Sequence, residues 1–477
     1  MALIPALTTR LGRSFFLPAH GRGRALPAAF RRLLRGRAGV WDLPELPQIG
    51  GPLEPEGAVA ESQKRSAAAM GVQHAWYGVN GATGLLQAAL LAVAAPGQAV
   101  LMPRNVHRSL IQACLLGDIT PVLFDLPFQL DRGQPAPPDR PWLDRIVQSC
   151  AASGRPIAAA VLLHPTYQGY ASDLEPLVQL LQAQGWPVLV DEAHGSHFAA
   201  QVDPLLPRSA VQAGADLVVH SLQKSSTGLA QTAVLWLQGD RLEPERVERS
   251  LGWLQTTSPS ALLLASCEAA LQDWQSAAGR ERLRLRLCDA RALASVLRQR
   301  GLPLLDTQDP LRLVLNTAAH GISGLDADDW LLPRGWLAEL PEPATLTFCL
   351  GFARHRGLDR AFVRMWSRLL DAHPNRAPFP TFEAPPLPLV ASPDLALSEA
   401  WRAPSRRVHL DDAVDQLSAE LLCPYPPGIP LLIPGERMDK DRLAWLQRQQ
   451  GLWGEQLPDH VRVVASDGSM RATADHG

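Results

Sequence analysis

The chain has 477 residues, 46% of them hydrophobic, and a formal net charge of -2. That length is too great for one core and predicts two or three domains. The near-neutral balance gives no electrostatic case for nucleic acid or an anionic membrane as a partner. Six cysteines, at 114, 150, 267, 288, 349 and 423, lack CxxC spacing and read as reduced thiols of a cytoplasmic protein rather than a disulfide framework.

Residues 1–70 read as an arm and a lead-in helix. The first 39 are arginine-rich and lack acidic side chains, but no apolar run is long enough for a signal peptide, and Pro5 and Pro18 interrupt a transit helix. The arm is expected to lie on the main domain or on a second subunit. Pro18, Gly21 and Gly23 make 17–23 a fixed turn, and a helix should run from near Glu56 to Gly71. No stretch reaches the length of a membrane span.

Residues 74–125 read in βαβαβ order, with strands following the glycine-rich and polar turns at Ala99–Met102 and Thr120–Phe124. In Asn80-Gly81-Ala82-Thr83-Gly84 the glycines would let backbone N–H groups face an anion at the following helix, with the Thr83 hydroxyl as a further donor; a plain capped turn fits equally. The next strand end contributes His107, able either to cover a flat ring or to cap a helix. Residues 126–143 read as an irregular proline-rich excursion. Residues 157–195 repeat the strand, polar end and helix pattern, with Thr166 and Gly169 at the strand end and Asp173 placed to cap the helix.

Two short apolar runs, 187–190 and 215–219, suit strands of a parallel sheet covered on both faces. The first delivers Asp191, Glu192, His194 and His197; the second delivers His220, Ser221 and Lys224. The chain writes arginine almost everywhere it needs a cation and has only Lys64, Lys224 and Lys440 as lysines. A lysine at a strand end therefore suggests a need for a primary amine, since a guanidinium cannot form a Schiff base. Polar groups at four strand ends build a crevice above a parallel sheet. A lysine for an aldehyde and a carboxylate for a ring nitrogen fit pyridoxal phosphate. The plainer alternatives are a loop lysine and, for Asp191, a helix cap. No metal is expected, because the His194/His197 spacing lacks the HExxH pattern.

Residues 280–300 should form a long amphipathic helix whose arginines are a solvated face. Short alternating runs from about 305 indicate a smaller α+β domain. Prolines within 411–438 fix a rigid turn, and the tail from Ala465 reads as disordered. The expected division is 1–70, arm and lead-in helix; 71–304, large cofactor-binding domain; 305–390, small α+β domain; and 391–477, C-terminal unit.

The segments 17-LPAHGRG-23, 80-NGATG-84, 103-PRNVHRS-109, 164-HPTYQG-169, 190-VDEAHGSH-197, 220-HSLQK-224, 254-LQTTSPS-260 and 424-PYPPGIPLLIPGE-436 resemble the Orn/Lys/Arg decarboxylase family in its short form. The resemblance implies an α/β, fold-type-I pyridoxal phosphate enzyme with a mostly parallel central sheet, helices on both faces and a smaller C-terminal α+β domain. It implies decarboxylation of arginine, lysine or ornithine through a Lys224 aldimine. Asp191 would pair with the pyridine nitrogen, His107 would stack on the ring and His194 would lie beside it. Ala82, Thr83 and Ser221 would hold the phosphate, Thr166 would join the cofactor site, and the enzyme would work as a homodimer or a dimer-based oligomer. Two departures stand out. Ser221-Leu222-Gln223-Lys224 replaces the family's Ser-Thr-His-Lys, and Pro18-Ala19-His20-Gly21 replaces Pro-Gly-His-Lys. Other readings are a different pyridoxal phosphate reaction, such as transamination with Arg312 or Arg334 clamping a carboxylate, and a retired fold that only binds.

Overall fold

The computed structural model describes residues 12–465 except 37, 375, 425–428, 454–456 and 458. The tail expected to be disordered, beyond Ala465, and the centre of the proline-rich turn therefore lie outside the described residues.

Eight strands form the large sheet: β1 (His74–Gly78), β2 (Ala99–Pro103), β3 (Thr120–Phe124), β4 (Ile157–Leu163), β5 (Val188–Asp191), β6 (Leu217–Ser221), β7 (Ala233–Leu237) and an edge strand, Val390–Ala391. In space the order is 390–391, β3, β2, β4, β5, β6, β7, β1. The five strands from β3 to β6 are parallel, β7 runs antiparallel between β6 and β1, and 390–391 runs antiparallel to β3. So β1, first in the chain, sits at the far edge and does not touch β2.

The apolar runs are continuous because each strand feeds two cores, since successive side chains point to opposite faces. Along β5, Val188 and Val190 enter one core while Leu189 enters the other. Helices α1 (Ala58–Met70), α2 (Gly81–Val93) and α3 (Arg108–Gly117) cover the sheet, with α1 over one core and α2 and α3 over the other. The helix after β4 starts at Glu175 with Leu174 at its cap position and no side-chain cap. The expected Asp173 cap is therefore wrong, because the helix begins one residue too late for that carboxylate to reach its first N–H groups.

A second, antiparallel sheet has β8 (Arg312–Asn316) beside β10 (Thr345–Cys349) and β10 beside β9 (Leu340–Pro341). Its core takes residues from the long helix Ala277–Gln299 and from Leu358–Ala372. Phe15 of the arm is fully buried in the same core, and Arg13–Ser14 pairs in parallel with Trp336–Leu337. The arm is thus fastened to this smaller layer by a two-residue strand and one phenyl ring, while Ala19 N bonds the Gln223 carbonyl and α1 packs on the large sheet as expected of a segment lying on the main domain. A fourth core around Trp445 supports the C-terminal pair Ser405–His409 and His460–Val464.

Candidate active site

The carboxyl ends of β2, β4, β5 and β6 open on a cavity of about 720 Å³. It is lined by Ala82, Thr83, His107, Thr166, Asp191, His194, Ser221 and Lys224, so all eight residues singled out from the sequence meet in one place. Residues Leu421, Cys423, Ile429 and Pro430 of the C-terminal unit close another side. That unit is anchored by Arg104, which is completely buried, pairs with Glu436 and donates to the carbonyl of Pro430 at 3.1 Å. The charge pair joins the 103–109 and 424–436 segments, two motifs more than 300 residues apart.

Lys224 sits in the one-turn helix Leu222–Ser225 that follows β6. Burial pushes its ammonium below the usual lysine range, the Asp191 charge opposes that, and Arg312 adds to it. Its Nζ lies 3.1 Å from His194 Nε2, while Arg312 reaches His194 Nδ1 at 3.4 Å. Arginine can only donate, so Nδ1 accepts, and a neutral imidazole then carries its proton on Nε2. The imidazole is held well below its ordinary range by burial, Lys224 and Arg312. Lys224 Nζ and His194 Nε2 are hydrogen-bonding partners in the cavity.

Asp191 is buried and accepts from Ala193 N at 3.1 Å. Burial raises its carboxyl above the usual range, and Lys224 draws it back. His107 takes the capping role weighed for it and also lines the cavity. Its Nδ1 accepts from Ser109 N at 3.3 Å, capping α3, while the side chain still lines the cavity. Thr166 Oγ1 accepts from Tyr170 N at 3.2 Å, which fixes the turn after β4.

The donors suit a phosphate. Gly81 takes a positive φ of 70° and spends its N–H on the Gln231 carbonyl at 2.8 Å. Ala82 and Thr83 fall in the first turn of α2, where N–H groups have no acceptor within the helix. Ser221 Oγ is buried and has no hydrogen-bond partner among the described residues. An orphan hydroxyl beside free helix N–H groups, with a buried carboxylate and a lysine amine across the same cavity, fits pyridoxal phosphate.

Sequence reasoning missed other groups. Tyr167 lies 4.3 Å from His194 between ring centroids, and its hydroxyl donates to Glu339, which also accepts from Leu17 N of the arm. Burial and Glu339 both push the phenol up. Arg312, weighed only as a carboxylate clamp, is buried against His194, whereas Arg334 stacks on Trp330 elsewhere. Tyr167 lay within a quoted motif; Arg312 and Glu339 come from the small layer and carry no local signal. The two departures from the family pattern touch: Ala19 N donates to the Gln223 carbonyl at 2.9 Å, and the Gln223 amide oxygen accepts from Gln231 N at 3.3 Å. Among the described residues no group of three or more His, Cys, Asp or Glu is arranged to hold a metal, and no helix is long and apolar enough to cross a membrane.

Comparison with known proteins agrees with this geometry. The Orn/Lys/Arg decarboxylase major domain matches residues 8–345 and the C-terminal domain of that family matches 380–459. An arginine decarboxylase of Halalkalibacterium halodurans is 31% identical over 461 residues, covering 91% of this chain and 89% of its own. The fold is that of the constitutive lysine decarboxylase of Escherichia coli, at a TM-score of 0.73, 18% identity, and coverage of 97% and 81% of the two chains. The Francisella novicida lysine decarboxylase LdcF superposes with a TM-score of 0.75 at 16% identity, covering 91% and 77%. With its sheet, its cavity and both family domains in place, this chain belongs to the Orn/Lys/Arg decarboxylase family.

Proposed function

We propose that the protein is a pyridoxal phosphate-dependent decarboxylase that converts a basic L-amino acid, arginine, lysine or ornithine, to agmatine or a diamine. The observation that carries this reading is the meeting of Lys224, Asp191, His107, His194 and an anion cradle in one cavity of a family decarboxylase. When bound, the cofactor would supply an electron sink for the pair left behind as carbon dioxide departs.

The chain's own residues do the rest. Ala82 and Thr83 N–H groups and the Ser221 hydroxyl would hold the phosphate, Asp191 would pair with the ring nitrogen, and His107 would cover the ring. Thr166 keeps the turn beneath the ring in place. His194 Nε2–H, 3.1 Å from Nζ, holds a proton where the lysine can exchange it. A working homodimer in the cytoplasm accompanies this reading.

The test is release of carbon dioxide from lysine, ornithine and arginine by purified holoprotein. At least one should react. Failure of all three with cofactor bound would sink the proposal, and a keto-acid product would favour transamination. Arg312 does not support that alternative, since His194 and Asp309 already occupy its buried surroundings.

A further inference from the structure

One buried carboxyl in the cavity is used by nothing above. Glu342 is 5% exposed and lines the same cavity as Lys224, His107 and Asp191. Its Oε1 accepts from Gln168 Nε2 at 2.8 Å, and its Oε2 accepts from Gln134 Nε2 at 2.7 Å and from Thr345 Oγ1 at 3.0 Å. Every one of these donors is neutral. A buried carboxylate with no cation beside it keeps an uncompensated charge, which is expensive out of water. Without a cation, burial pushes the Glu342 carboxyl up to about 7.

The neutral donors are themselves held in one orientation. Tyr170 OH donates to the Gln134 amide oxygen at 3.1 Å, which turns the Gln134 NH₂ toward Glu342, and Arg132 in turn donates to Tyr170 OH at 3.4 Å. Gln134 is 1% exposed and comes from the proline-rich excursion, whose next residue, Pro135, lines the cavity. Gln168 lies two residues after Thr166 and lines the cavity too. This is a carboxyl fixed in place on the wall of the cavity.

We propose that Glu342 receives the side-chain cation of the substrate, with Gln134 and Gln168 positioning it, so that this carboxyl selects basic over neutral amino acids. The inference rests on the decarboxylase reading above and assigns its specificity. A guanidinium or ammonium entering with the substrate supplies the positive partner that the protein itself withholds, and a charge pair formed out of water is strongly selective. An amino acid of the same length with an apolar end would leave the carboxyl buried and unpaired.

The test is calorimetric binding to holoprotein, with agmatine, putrescine and cadaverine set against n-butylamine and n-pentylamine. In the wild type at least one of the doubly charged amines should bind at least about tenfold more tightly than the singly charged amines. E342Q should erase that advantage while leaving monoamine affinity within about twofold, and E342D should keep part of it. In turnover, E342Q should raise KM for the preferred substrate far more than it lowers kcat. Should E342Q fail to fold, the wild-type comparison decides alone, and equal binding of diamines and monoamines overturns the proposal. A diamine advantage that survives E342Q also overturns it while leaving the reaction standing, whereas absence of carbon dioxide from every basic amino acid strikes at the reaction itself.

Discussion

Asp191 and Glu192 are neighbours in sequence and both are buried, yet they belong to opposite kinds of surroundings. Glu192 lies in a closed polar cluster. It accepts from Ser209 Oγ at 2.6 Å, from Ala210 N at 2.9 Å and from His220 Nε2 at 2.7 Å. Trp236 Nε1 donates to His220 Nδ1 at 2.9 Å, so the His220 proton sits on Nε2 and points at the carboxylate. Asp191 lies in an open cluster, with one backbone donor and with Lys224 and the orphan Ser221 hydroxyl lining the same cavity. The difference teaches which buried polar groups are scaffold and which are chemistry: the first kind is satisfied by the fold, and the second keeps capacity that only a ligand fills.

This contrast predicts that changes in the open cluster remove activity and spare stability, and that changes in the closed one do the reverse. The largest effect is expected at Lys224. Lys224→Ala should lower turnover by about 10³-fold or more with the unfolding midpoint little changed. It should still retain cofactor by dialysis, because Asp191, His107 and the phosphate donors remain. Asp191→Asn comes next. In the proposed role, loss of the charge that would pair with the ring nitrogen should remove ~3 kcal/mol of transition-state stabilisation, roughly a hundredfold in kcat, again with little effect on unfolding.

Glu192→Gln should invert the pattern. Turning one carboxylate oxygen into a donor sets it against either Ser209 or Ala210, and stability should fall by about 1–3 kcal/mol in denaturant titration while kcat per folded molecule holds. If Glu192→Gln removed activity without a loss of stability, the distinction between the clusters would collapse.

Legibility in the sequence follows the same line. Strand ends of the large sheet were readable because continuous apolar runs mark buried parallel strands, and each run breaks into polar residues where the crevice begins. Thr83, His107, Thr166, Asp191, His194, Ser221 and Lys224 came from those breaks, while Ala82 and the phosphate role of Ser221 came from the family resemblance. Glu342 was not readable as part of the wall of that crevice, nor Glu339 and Arg312 as partners of Tyr167 and His194, because a separate antiparallel layer brings them there and no local spacing encodes the approach. Gln134 hid in a proline-rich segment that reads as loop. The Asp173 cap was misjudged by one residue of helix start, and the arm's fastening to the small layer was not legible because one aromatic ring, Phe15, carries it.

The smallest expected effect is at Gln223. Its amide is tied to Gln231 N, beside the Ala19 contact, so Gln223→His restores the family imidazole where the present chain makes a backbone bond. Cofactor binding should be preserved and decarboxylase activity should rise or stay level, measured side by side with the wild type. A fall in activity would show that the glutamine has a role of its own.

The central claim is that Lys224 is the amine that carries the cofactor, and the scarcity of lysine makes the test clean. Holoprotein reduced with borohydride and digested should carry the pyridoxyl mass on the peptide containing Lys224 and on no peptide containing Lys64 or Lys440. A label on Lys64 or Lys440 with Lys224 unmodified would contradict the site assignment from its foundation.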